Sequence, residues 1–138
     1  MSRVNEAVQL FDNGHLCSQA VFEVFCEDFG LPASEAFKIG ACFGSGLRQG
    51  EVCGACTGAL MVLGLKYGDD KAKCDWVSDV FFEEFKKENG SFICRDLLGC
   101  DISTPEGVRS ARDQNLFREL CPKMVASAVE ITEKIMEK

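Results

Sequence analysis

At 138 residues and 46% hydrophobic composition, the chain has the length of one compact domain and enough apolar content to bury a sizeable core. Its formal charge of −7 and pI near 4.7 argue against a nucleic-acid partner, because phosphate backbones demand clustered Lys and Arg. The amino terminus carries Arg3, Glu6 and Asp12 without the apolar run of an export signal, and the longest uncharged stretch, Val52 to Leu65, is too short to cross a bilayer, so a cytoplasmic protein without membrane insertion is expected.

Along the chain, apolar residues recur at three and four positions rather than alternating, and no hairpin turn separates two β-branched runs. The expected architecture is all-α: one domain over 1–138, a multi-helix bundle around a central buried helix at about 51–67. A first helix over Val4 to Phe11 stops at Asn13-Gly14, and a second from Leu16 to Phe29 stops at Gly30. Pro32 and Ser34 open a third, ending near Phe43. Gly44-Ser45-Gly46-Leu47-Arg48-Gln49-Gly50 is a glycine-rich loop feeding the central helix. Asp69-Asp70 then place carboxylates at the next helix start, with Trp76, Val77, Val80, Phe81 and Phe85 as its apolar stripe. A short helical turn around Cys94 to Leu98, a small helix after Thr104-Pro105 and a last helix opening at Pro122, a favoured first-turn residue, complete the chain.

In a reducing compartment nine cysteines point to catalysis or metal binding more than to disulfide scaffolding, and an odd number also argues against complete pairing. Cys17, Cys53, Cys94 and Cys121 share a local setting: each falls at an expected helix start, and the positions three and four further on are mostly apolar, so all four thiols should face inward. A helix start presents unpaired N–H groups and a positive dipole end, which lowers a thiol's pKa. Four such thiols can converge on one centre for disulfide exchange or for a soft metal. Cys26 and Cys42 suit the role of small apolar filler, and Cys74, on a helix flank, has no assigned role. Cys53-Gly54-Ala55-Cys56 is also a C-x-x-C pair, the local arrangement of attacking and resolving thiols, although the βαβ pattern of a thioredoxin fold is missing. Cys94 and Cys100 form a second nearby pair.

Metal chemistry is the alternative. Ferredoxin spacings are absent and a paired C-x-x-C knuckle occurs once, so an iron–sulfur cluster or zinc would be held either by the dispersed set Cys17, Cys53, Cys94 and Cys121, which is preferred, or by Cys53, Cys56, Cys94 and Cys100. His15, the single histidine, stands two residues before Cys17 and is a secondary candidate as base or ligand, against the more common fate of a solvated loop histidine. The carboxylates of the later helices read as solvated faces, and no phosphate-cradling, serine-hydrolase or H-E-x-x-H pattern occurs.

The stretch Gly50-Glu51-Val52-Cys53-Gly54-Ala55-Cys56-Thr57-Gly58-Ala59-Leu60, with Leu63-Gly64-Leu65-Lys66-Tyr67-Gly68, resembles the family of redox-active proteins with a CGAxxG motif and four hallmark cysteines. The resemblance spans essentially the whole chain. It implies that the hallmark cysteines are Cys17, Cys53, Cys94 in Cys94-Arg95-Asp96-Leu97-Leu98-Gly99, and Cys121 in Cys121-Pro122-Lys123, with Cys56 at a variable position of the motif. It also implies a chemistry class without a substrate, and related domains fused to cytochrome-type or iron–sulfur electron-transfer proteins keep a cluster in view. The expected function is a buried multi-cysteine redox centre of a thiol-based oxidoreductase, with Cys53 as the reactive thiolate and Cys56 as a resolving thiol. Its alternatives are a four-cysteine metal or iron–sulfur carrier or sensor, and a structural site with function elsewhere. A redox partner protein is implied without being identified, and a homodimer is left open.

Overall fold

The computed structural model describes residues 2–137. Eight α-helices follow one another: α1 (Val4–Asp12), α2 (Cys17–Cys26), α3 (Ala33–Ile39), α4 (Gly54–Tyr67), α5 (Lys71–Asn89), α6 (Cys94–Leu98), α7 (Pro105–Asp113) and α8 (Leu116–Glu137). Among the described residues there is no strand, only an isolated antiparallel bridge between Val52 and Ile93, so the all-α expectation holds. None of these helices is long and apolar enough to cross a membrane.

The ends of the helices are set by local chemistry. The Asp70 side chain accepts a hydrogen bond from the Lys73 N–H at 3.1 Å and caps α5. At the other end Gly90 takes φ +88° and donates its N–H to the Lys86 carbonyl at 2.7 Å, a left-handed stop that glycine adopts without strain. Thr104 caps α7 through the Gly107 N–H at 3.0 Å, with Pro105 in the first turn where its missing N–H is harmless. α2 and α3 stop short of the expected ends because each finishes in a tighter 3₁₀ turn, Glu27–Phe29 and Gly40–Cys42.

α2 and α4 form the inner pair, and α1, α5 and α8 pack around them. Gly58 explains how closely the pair approaches. A Cβ there would lie 2.6 Å from the Ser18 carbonyl oxygen and 3.2 Å from the Val21 Cβ, so only glycine lets the two backbones meet. Phe25, Leu63, Phe81, Phe85, Val125 and Val129 fill the main core, with the Phe81 and Phe85 rings stacked at 5.8 Å. A second, smaller apolar cluster joins Cys94, Leu98, Ile102 and Ala111 with Leu116, Phe117 and Leu120, from α6, α7 and the start of α8.

Two expectations are corrected here. The last helix does not open at Pro122: the chain turns at Asn115 (φ +60°), and Leu116, Phe117 and Leu120 draw the first turns of α8 onto the smaller cluster. Pro122 therefore lies inside the helix, where it removes one backbone hydrogen bond beside Cys121. Trp76 does not belong to the buried stripe. Its ring is 51% exposed under the Lys73 ammonium at 4.6 Å, whereas Val77, Phe81 and Phe85 face the core. Trp76→Ala is accordingly expected to cost less than about 1 kcal/mol, the value of an exposed cation–π contact. A loss of several kcal/mol in urea unfolding would show that the indole is packed.

Candidate functional site: a thiol cavity between two apolar clusters

The site forms where the two clusters meet. Cys17 and Cys53 belong to the main core, Cys94 to the smaller cluster, and Cys121 packs against that smaller cluster. All four line one cavity of about 270 Å³, closed by Phe11, His15, Leu16, Phe117 and Met124. Sulfurs up to about a hundred positions apart in the chain are thus brought to one place.

Local chain geometry delivers each of them. Cys17 is the first residue of α2, and that start is braced by Gln19, whose Oε1 accepts from the Leu16 N–H at 2.9 Å while its Nε2 donates to the Phe37 carbonyl at 2.8 Å. Cys53 is the cap residue before α4, and Cys94 opens α6. These two starts are clamped side by side, since the Cys53 N–H donates to the Phe92 carbonyl at 2.8 Å and the Cys94 N–H to the Glu51 carbonyl at 2.6 Å. That clamp is also why α4 begins at Gly54 rather than near residue 51. Cys121 differs from the expectation: it sits inside α8, not at a helix start, so its inward direction comes from the apolar face of that helix.

Two glycines make room for the sulfurs. A Cβ on Gly54 would collide with the Cys17 Sγ, which accounts for the glycine that follows the motif cysteine. Gly46, at φ +59°, would place a Cβ 2.9 Å from the Cys94 Cβ. It lies in a left-handed run with Ser45, Leu47 and Arg48 (φ 53°, 60° and 62°). Backbone of this kind costs of order 1 kcal/mol per non-glycine residue and concentrates at functional sites.

The thiols are not acidified as their helix-start positions suggested. Cys17 is held well above the ordinary range by its hydrogen bond with Cys53, by burial and by the nearby Cys53 charge, against the backbone of Ser45 and Ser18, which favours the thiolate. Cys53 is pulled down by the hydrogen bond from Cys17, but its hydrogen bond to Cys56, burial and the Cys56 charge outweigh this and leave it well above the ordinary range too. Burial, then neighbouring thiols, push Cys94 and Cys121 up to about 12. Desolvation of the charged form exceeds the half-charge of a helix end.

An alkaline test follows. The folded pKa values lie above the ordinary value of 9.0, so the unfolded chain releases these protons first. The stabilisation is complete below about pH 9 and is lost as the pH rises toward about 12. Urea stability is expected to fall over that window, and to fall less in the Cys94→Ala/Cys121→Ala variant relative to its own neutral value. Equal alkaline losses in both proteins would place the thiols outside a desolvated cavity.

The remaining candidates separate clearly. Cys56 is 0% exposed, stands beside Cys53 and does not line the cavity. Cys100 packs against the smaller cluster that holds Cys94 and sits beside Ser110 and Gln114, at 3.9 and 4.0 Å, but does not line the thiol cavity. His15 does line the cavity. Its Nε2 stands 2.9 Å from the Glu23 Oε2, off the hydrogen-bonding direction, and its ring meets Phe37 edge-on, so it is no freely solvated loop histidine. Cys26 is the expected buried filler, whereas Cys42 is exposed, contrary to that role. The Cys74 sulfur donates to the Tyr67 carbonyl at 3.1 Å. Among the described residues no three His, Cys, Asp or Glu side chains stand together as a metal-ligand group. The four thiols share a cavity without forming a ready coordination shell.

Sequence reading missed Arg48 and Arg112, which line a neighbouring cavity. Both look like ordinary solvated cations in the sequence, and no local pattern marks them.

A family model described as "Putative redox-active protein (C_GCAxxG_C_C)" matches residues 15–135. No curated protein and no solved structure matches the chain.

Proposed function

The chain belongs to this redox-active protein family, and from that premise we propose that its cavity is a thiol–disulfide centre in which Cys53 attacks and Cys17 resolves. The observation that carries the reading is that Cys17 and Cys53, at the starts of α2 and α4, line one cavity as close neighbours. Loss of one proton from such a pair is shared: the thiol that keeps its hydrogen donates to the sulfur that has lost it. Cys53 is the better nucleophile because it caps the central helix, where backbone N–H groups, including that of Ala55, favour its thiolate. Cys94 and Cys121 complete the apolar wall and stand within electrostatic reach of Cys17.

Mild oxidation of the reduced protein should remove two thiols reversibly, and mass mapping should recover a Cys17–Cys53 linkage. Nine thiols unmoved by oxidant would overturn the reading. A Cys53–Cys56 linkage would instead support the C-x-x-C mechanism, which the closeness of those two thiols favours as a second reading. Iron and sulfide, or zinc, bound stoichiometrically after purification without oxygen would replace both with the four-thiolate carrier.

A further inference from the structure

Beside the thiol cavity lies a second one of about 380 Å³, within the usual size of a small-molecule site. Leu16, Ser45 and Phe117 line both, so the two adjoin along these residues. The remaining lining is apolar apart from two guanidiniums, Arg48 and Arg112. Among the described residues neither has a carboxylate within ion-pair distance; the ion pairs of the molecule involve Arg3, His15 and Arg95. The cavity therefore has an apolar body, two uncompensated positive charges and no lining carboxylate, on a protein whose net charge is −7. Arg48 reaches this position from the left-handed run that also places Ser45 against the Cys17 sulfur. One strained loop thus serves both cavities, which ties the cationic pocket to the thiols rather than leaving it a chance surface hollow.

We propose that this cavity is the substrate side of the thiol centre and takes a small disulfide bearing carboxylate groups, held by Arg48 and Arg112 with its sulfurs reaching past Leu16, Ser45 and Phe117 into the adjoining thiol cavity. The proposal rests on the thiol–disulfide reading above. In the reaction, the Cys53 thiolate attacks one substrate sulfur, the substrate S–S bond breaks, and one carboxylate-bearing thiolate leaves. The Cys17 sulfur then attacks Cys53 in the mixed disulfide and expels the second thiolate. The two cysteine protons end on the two released thiols. The protein loses two electrons as the Cys17–Cys53 bond forms, and the substrate gains them.

The test compares three disulfides as oxidants of the reduced protein: dithiodiglycolate with two carboxylates, hydroxyethyl disulfide without charge, and cystamine with two ammonium groups. Each rate is divided by that of the same disulfide with free dithiothreitol, which removes intrinsic reactivity. Two exposed guanidiniums are expected to favour the dianion over the neutral compound by about 10-fold at low salt, with cystamine slowest, and the preference should shrink as salt is added. Arg48→Asn with Arg112→Gln should bring the three normalised rates together. Asparagine is used because it tolerates the left-handed backbone, and Arg112→Gln alone, which leaves the strained loop intact, should remove part of the preference. Equal normalised rates in the unmodified protein, or a preference that survives both substitutions, would overturn the proposal. Failure of the neutral disulfide to oxidise the protein at all would instead bring down the thiol centre itself, and the pocket assignment with it.

Discussion

Cys53→Ser is expected to abolish the reversible loss of two thiols on mild oxidation, whereas Cys74→Ser, at a sulfur outside the cavity, should leave it intact. Serine preserves the size and hydrogen-bonding capacity of the side chain, and the Cys53 backbone continues to donate to Phe92 and to accept from Cys56 and Thr57, so the fold should survive. What disappears is the sulfur that forms the new bond. Cys17→Ser should behave differently: Cys53 would still attack a disulfide, but without the neighbouring sulfur in the cavity the mixed disulfide should accumulate and be visible by mass. Full reversible oxidation in Cys53→Ser would remove this residue from the mechanism, and prompt turnover of the mixed disulfide in Cys17→Ser would transfer the resolving role to Cys56.

The largest stability effect is expected at Gly58, a residue with no chemistry of its own. Gly58→Leu would force a Cβ to 2.6 Å from the Ser18 carbonyl oxygen, a backbone atom that cannot swing aside. Helix propensity favours leucine over glycine by somewhat less than about 1 kcal/mol, but separating the α2 and α4 backbones disrupts the inner pair of the bundle. A net destabilisation of about 3 kcal/mol is expected, at the upper end of overpacking effects, read as a lower urea midpoint with an unchanged slope. Because Ser18 adjoins Cys17, the same substitution should also loosen the thiol pair and slow disulfide formation. A variant as stable as the parent would show that α2 and α4 do not approach as closely as described.

These effects sort what could be read from the chain. The all-α class, most helix limits and the role of the glycine loop follow from spacing and from end residues such as Asp70, Thr104 and Gly90, whose preferences act within one turn of backbone. The set Cys17, Cys53, Cys94 and Cys121 was also legible, three of them through helix starts and all four through the family pattern, and it meets in one cavity. Cys121 points inward through the apolar stripe of its helix and not through a helix start. Pro122 resembles a helix opening, yet contacts of Leu116, Phe117 and Leu120 with residues from two other helices extend α8 upstream.

By itself, the sequence determined which segments are helical, which residues carry sulfur, and that Cys53 opens the central helix, because these depend on neighbours a few positions away. Tertiary structure alone decided the acidity of the thiols, which cysteines share a cavity with Cys53, and the cationic pocket. A thiol at a helix start is acidic only if water or charge remains near it, and here burial between two apolar clusters overrides the dipole. Cys17 rather than Cys56 faces the cavity with Cys53, and Arg48 and Arg112 share a pocket, for the same physical reason. Each pairing joins groups far apart in the chain, and only the packing of α2, α4, α7 and their loops sets the distance between them.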